Sequence, residues 1–343
     1  RTGMTQVHTS RIYPYAPMIT PRARPKLPED SYSIANMLQD AGYATAISGK
    51  WQLGNANEEA KRTKYGFDFV GTADELPWGQ VDKDKATPAQ TSEILQFIRD
   101  NKDNPFFVYL SYFNIHTPIQ APDSLVEKWV TRGYQESTHR FGDVTERPSA
   151  TYLAMIDLLD SEIGRLMKGL KEMDLIDNTL VIFNSDNGGL NRAWDNCPLR
   201  GAKGVLYEGG VRVPLIMQWP GVIEKGSRND DPVHIVDMYQ TFKEIARGKV
   251  SGDKILDGEN LIPLMTGQGT LSRENIYWHH PHYIHDYGKT PCSAIRKGDY
   301  KLIYYYGDYL NTLGYMPVQA EPYGQLIEGE KVELFNINED PGE

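Results

Sequence analysis

Cysteine is scarce in this 343-residue chain: only Cys197 and Cys292 occur. Two cysteines cannot build a disulfide framework, and these two lack the paired spacing of a thiolate metal site. Long apolar runs are also missing. No stretch reaches the roughly 18 uncharged apolar residues that a spanning helix needs, so a membrane-embedded reading is poor. Basic charge is in deficit, with 36 Lys and Arg against 46 Asp and Glu and a formal net charge of −10. That balance works against general binding to nucleic acid or to anionic membrane. An anionic ligand would require a locally basic pocket. The first residues, "RTGMTQVHTS", show neither an initiator methionine nor the charged start and apolar centre of a secretory signal.

What is present fits a folded domain. Apolar residues make up 40% and charged residues 24% of the chain, a composition that argues against disorder. Residues 11–30 carry five prolines and read as an extended surface loop. Ser31 or Ser33 can cap a helix with Ile34, Leu38 and Ala41 at helical spacing, ended by Gly42. A strand follows over Tyr43 to Ser48. A helix near Ala89 to Asp100 leads into a second buried-looking strand, "PFFVYLSYF". The periodic segment Tyr152 to Met173 predicts a third helix with Leu153, Ile156, Leu159, Ile163, Leu166 and Leu170 inward. After a turn at Asp177 and Asn178 comes the strand "TLVIFN". Alternating helices and apolar strands predict an α/β fold with a mostly parallel central sheet flanked by helices.

Beyond residue 268 the pattern changes. "NIYWHH", "SAIRKG", "YKLIYYYG" and "KVELFNI" are short, aromatic and separated by turns, as in a small antiparallel sheet. The expected division is a large α/β domain over 1–268 and a small C-terminal subdomain over 269–343.

In open α/β sheets, ligands bind beyond the carboxyl ends of the strands. The first strand runs into Gly49 and Lys50, the second into His116, the third into Asp186 and Asn187, and the following loop supplies Lys203. Each has a plain reading: a solvated lysine, a histidine satisfied by backbone, an Asn-Gly tight turn. Together they would place two cations, an imidazole and two hard oxygen donors at one edge. Asp186 and Asn187 suit Ca²⁺ or Mg²⁺, though two ligands do not hold such an ion alone. The ligand of this pocket would be a sulfate or phosphate ester.

These segments, "GYATAISGKWQLG", "HTP", "VIFNSDNGG" and "PLRGAKGVLYEGGVRVPLIMQWPG", resemble the successive signatures of type I sulfatases in the alkaline phosphatase superfamily. The ending "VELFNINEDPGE" is similar to that family's last strand and turn. The resemblance implies an alkaline-phosphatase-like fold and hydrolysis of sulfate esters by a formylglycine beside Ca²⁺. It makes Asp186 and Asn187 metal ligands. It assigns Lys50 and Lys203 to the sulfate and the nucleophile, and His116 to the sulfate and the leaving oxygen, a role suited to a group titrating near neutrality. It also implies a periplasmic or secreted location, or a lysosomal one in a eukaryote.

Two departures from the pattern follow. The Cys/Ser-x-Pro-x-Arg motif from which formylglycine is made does not occur, since proline directly follows Cys197. "RTGM" resembles the stretch just after that motif, so the nucleophile and the paired N-terminal aspartates are expected upstream of Arg1, and residues 1–343 alone are expected to be inactive. Gln52 stands where the family usually has histidine; it can orient the nucleophile but cannot take up its proton at neutral pH. In "WHHPHYIH", His279, His280, His282 and His285 could hold a transition metal, line a sugar at the pocket mouth, or form an exposed aromatic loop. The sugar reading favours His280 and His282 as substrate contacts. Arg296 and Lys297 could bind further sulfates or solvate a turn. The alternatives are a phosphodiesterase or phosphonate monoester hydrolase of the same fold, and a non-catalytic binder of sulfated glycans.

Overall fold

The computed structural model describes residues 31–51, 64–71, 82–138, 148–190, 193, 196–249, 255–282, 290–307, 309–311, 325–340 and 342. The proline-rich segment 11–30, Gln52 and His285 lie outside them.

The first helix, α1 (Ile34–Asp40), starts at Ser33, whose hydroxyl accepts from the Asn36 amide while the Asn36 side chain accepts from the Ser33 N–H. Both orphan donors are satisfied by this reciprocal pair. Strand β1 (Ala44–Gly49) lies between β2 (Phe69–Val70) and β3 (Phe106–Ser111), parallel to both. The alternation along β1 sends Ile47 toward α1, with Trp51, Tyr65, Phe67 and Phe107. Ala46 faces the opposite way, toward Ile94, Phe97 and Ile98 of α2 (Thr87–Asp100) and Leu170 of α4 (Ala150–Glu172). The sheet is therefore covered on both faces, as parallel sheets require. Burying a side chain such as Ile47, 1% exposed, contributes about 1.5–3 kcal/mol.

Three sequence expectations change in detail. In α4 the buried residues are Ala150, Thr151, Tyr152, Ala154, Met155 and Leu158 near the start and Leu170 near the end, while Ile156 is 41% exposed. The helix packs on α3 (Asp123–Val130) first and on α2 later, so no single stripe runs its length. Strand β4 (Val181–Asn184) does not extend the parallel set. It pairs antiparallel with β5 (Leu215–Gln218), Val181 opposite Gln218. Strand β3 is only partly buried, with Tyr109 facing outward.

Short α5 (Glu208–Val211), α6 (Asp237–Ala246) and α7 (Ile262–Met265) follow in the second half. The C-terminal part is a four-stranded antiparallel sheet in the order β11 (Lys331–Asn336), β8 (Tyr300–Tyr305), β7 (Cys292–Lys297), β6 (Asn275–His280). A second antiparallel pair joins β9 (Tyr309–Asn311) to β10 (Gln325–Ile327). The boundary we propose near residue 268 falls between α7 and β6. Across it the two parts share a core: Ala294, Ile303 and Phe335 of the sheet pack on Leu206 and Tyr207. No helix among the described residues is long and apolar enough to cross a membrane.

Candidate active site

Lys50 follows directly on β1, and its position depends on Gly49. That glycine has φ +97°, and a Cβ there would sit 2.0 Å from the Ser111 carbonyl oxygen. The close approach lets the Lys50 N–H donate to the same oxygen at 2.7 Å. The side chain runs over Phe113, with Nζ 5.4 Å from the ring centroid.

His116 sits in the loop after β3. Its backbone N–H donates to the Phe113 carbonyl at 2.9 Å, and the Asn114 amide ties the loop to α4 through the Met155 carbonyl at 2.9 Å. The imidazole meets Phe113 edge-on at 5.6 Å. Its Nδ1 lies 2.9 Å from the Thr117 carbonyl, which can only accept, so Nδ1 carries the proton there, and Nε2 is the second nitrogen able to bind one.

Asp186 and Asn187 lie at the end of β4, and Lys203 in the loop before α5. Two glycine pairs bring these segments together: a Cβ on Gly188 would lie 1.8 Å from the Gly209 carbonyl oxygen, so the loops meet backbone to backbone. Gly188 N–H donates to Gly210, and Lys203 N–H donates to Gly189, each at 3.0 Å. The Asn187 amide NH₂ donates to the Gly188 carbonyl at 3.0 Å, which leaves Oδ1 as the atom that can turn to a cation.

Electrostatics record how close these groups lie. Burial pushes the Lys50 ammonium pKa down, and the Asp186 carboxylate partly restores it. Lys203 is likewise pushed down by burial and by Lys50, and raised by Asp186. His116 is pushed down to about 4, first by burial and further by Lys203, Lys50 and Lys85, against the opposing Thr117 carbonyl. A titration near neutrality, expected from residue type, is thus not what the anion-free pocket gives. Concentrated positive charge without its counter-anion disfavours the imidazolium.

Lys50, His116, Asp186 and Lys203 are thus brought together, with Asn187 beside Asp186. Oxygen donors of this type fit a hard divalent cation, and these two would supply part of its shell. Among the described residues no three His, Cys, Asp or Glu side chains gather as a metal group. His280 and His282 are buried near the end of β6, their rings 5.9 Å apart. Arg296 donates to the Gly298 carbonyl, and Lys297 pairs with Glu274 at 3.1 Å, so both engage the C-terminal sheet and its turn. Neither cysteine is in a disulfide; Cys197 is exposed and Cys292 buried.

Residue-type reasoning missed Lys85. In "VDKDKATP" it alternates with aspartates like a solvated turn, and no signal in the sequence distinguishes it. In the fold it is 1% exposed, and its ammonium donates to the carbonyls of His116 and Pro118 at 2.5 and 2.6 Å. It missed too the clamp on the Lys203 loop. Glu208 pairs with buried Lys301 at 2.8 Å, Tyr207 donates to Glu333 at 2.5 Å, and the Arg200 guanidinium lies 4.3 Å from the Tyr207 ring centroid.

The sequence model of the family described as Sulfatase matches residues 2–248, and one described as N-sulphoglucosamine sulphohydrolase, C-terminal, matches residues 202–324. A sulfatase of Formosa agariphila is 32% identical over 277 residues, covering 75% of this chain and 45% of its own length. Arylsulfatase J of Mus musculus is 27% identical over 390 residues, covering 100% of this chain and 62% of its own. The chain thus spans about half of the curated relatives it matches. Among solved structures, Ps i-CgsB in complex with k-i-k-neocarrahexaose superposes with a TM-score of 0.69 at 27% identity, over 92% of this chain and 69% of that one.

Proposed function

The chain belongs to the sulfatase family, and on that premise we propose that it serves in a hydrolase of sulfate esters, acting on a sulfated carbohydrate. The observation that carries the reading is the convergence of Lys50, Lys203 and His116 beside the Asp186 carboxylate on a chain of net charge −10. Such a pocket attracts an oxyanion, and its local charge opposes that of the whole molecule.

In this reading Lys50 and Lys203 bind the sulfate oxygens and offset charge that grows as the S–O bond breaks. The His116 Nε2 proton passes to the leaving oxygen. The same anion that neutralises the lysines restores the imidazole's affinity for that proton, which reconciles a low value in the anion-free pocket with an acid's task. Asp186 and Asn187 hold a Ca²⁺ ion, Mg²⁺ being the nearest substitute. When bound, it supplies Lewis-acid polarisation of the sulfate and of the nucleophile. The nucleophile is a formylglycine outside these 343 residues, and Gln52 orients it. His280 and His282 belong to the sugar side of the site. The carbohydrate assignment draws on Ps i-CgsB, whose complex contains a neocarrahexaose. Export from the cytoplasm, or lysosomal delivery, accompanies this reading.

The test is a parallel assay of the full-length, matured protein on an aryl sulfate, an aryl phosphodiester and sulfated oligosaccharides. Preference for the sulfates supports the reading. Preference for the phosphodiester, or tight binding of sulfated glycan with no turnover, refutes it. Residues 1–343 alone are expected to show no turnover.

A further inference from the structure

Lys85 is a buried basic group that the reading above leaves without a task. It sits in the turn before α2 with φ 53°, followed by Ala86 at 55°. Two successive non-glycine residues in the left-handed region are costly, and such conformations persist only where the surroundings hold them. The turn aims the side chain inward. There the ammonium is fully buried, and among the described residues no carboxylate pairs with it. Burial pushes the pKa of this amine down to about 7, and a buried amine without a counter-ion is costly in either state unless its donors are used, so an apolar residue would serve packing alone better. What the ammonium touches is specific: the backbone carbonyls of His116 and Pro118, on either side of Thr117, with the Phe113 ring centroid 6.0 Å away. Thr117 supplies the carbonyl that fixes the Nδ1 proton of His116. Lys85 therefore holds both ends of the three-residue segment that sets the tautomer and direction of the imidazole.

We propose that Lys85 is a positioning residue for His116, one that keeps Nε2 aimed at the leaving oxygen of the sulfate ester. The proposal rests on the reading of His116 as the acid. In the step concerned, the nucleophilic oxygen, its hydroxyl proton given up to solvent water, forms the new bond to sulfur and the S–O bond to the alcohol breaks. The electron pair departs on the alcohol oxygen, the Nε2 proton joins that oxygen, and His116 is left neutral with its Nδ1 proton still on the Thr117 carbonyl. Protonation matters most for a poor leaving group such as a sugar hydroxyl and little for a nitrophenol. Loss of aim must therefore show as a loss that depends on the leaving group.

The experiment compares Lys85→Met, His116→Ala and the double variant in the full-length matured protein, on an alkyl sulfate and on 4-nitrophenyl sulfate. Thermal melting serves as the control for folding, and where the methionine variant does not fold, Lys85→Gln, whose shorter side chain cannot span to both carbonyls, takes its place with a loss of the same kind expected. His116→Ala is expected to cost about 100-fold or more in kcat on the alkyl sulfate and far less on the aryl ester. Lys85→Met is expected to lose about tenfold more on the alkyl than on the aryl sulfate, with KM little changed. The double variant should be no worse than His116→Ala on the alkyl sulfate, because both losses act through one group. Equal losses on both substrates for the Lys85 variant, or simple additivity in the double variant, overturn the proposal while leaving His116 as the acid. Absence of leaving-group dependence in His116→Ala instead removes the reading beneath it.

Discussion

Replacing Lys301 by methionine tests how the C-terminal sheet holds the lysine loop. Lys301 and Glu208 are 1% and 3% exposed, and their 2.8 Å pair joins β8 to the start of α5, five residues beyond Lys203. At an effective dielectric of about 20 the gross attraction at this separation is about 6 kcal/mol, but each ion has forfeited several kcal/mol of hydration. The intact pair is thus close to neutral in net energy. Burial pushes the Lys301 pKa down and Glu208 pushes it back up. Lys301→Met strands a carboxylate in a site shared with the Trp278 ring, whose centroid lies 4.8 Å from the ammonium. The expected cost is about 3–5 kcal/mol. With an unfolding entropy of about 2.1 cal/mol/K per residue, 343 residues give about 0.7 kcal/mol/K, so the melting temperature should fall by about 4–7 °C. Removing both charges, Lys301→Met with Glu208→Met, should recover most of that loss. The single variant should also suffer less in acid, where the stranded carboxylate can take a proton. Thermal unfolding of the three proteins at pH 7.5 and about pH 5 measures all of this. A fall below about 1 °C for the single variant, or a double variant as unstable as the single one, would refute the reasoning.

Three further outcomes follow from the site. Gly49→Ala forces a Cβ onto the Ser111 carbonyl from φ +97°, and should cost more than about 2 kcal/mol and weaken sulfate binding together, read by melting and calorimetry. His116, pushed down to about 4 in the anion-free pocket, binds fewer protons folded than unfolded between about 4 and 6.5, so it adds a penalty that fades as pH rises through that window. Sulfate raises the folded value, so sulfate affinity should climb as pH falls from about 6.5 toward 4, and a flat calorimetric profile contradicts this. Chelation should abolish turnover and Ca²⁺ restore it, whereas Asp186→Asn should need far more added Ca²⁺, followed by activity titration; recovery at wild-type concentrations removes Asp186 from the metal site.

Residue order alone announced the fold class, because strand and helix periodicities are local properties of chain geometry. The burial of β1 beyond its first residue and the Ser33 cap follow from it directly. The strand-end polar residues were legible for the same reason: a polar group just past an apolar run must lie at the strand's carboxyl end. Antiparallel pairing of β4 with β5 was not legible, since strand direction depends on which partner is reached after the Lys203 loop. Nor was the turned face of α4, whose two halves answer to different neighbours.

Residue type and spacing determined which side chains could do the chemistry, and the acidic overall charge meant that any anion site had to be local. Only tertiary structure decided the state in which those side chains are held. A lysine in a run of alternating charges reads as solvated until the fold removes water from it, as it does for Lys85. The protonation preference of His116 is likewise set first by burial and then by lysines distant in sequence. Burial and through-space charge are sums over neighbours that the chain order does not contain.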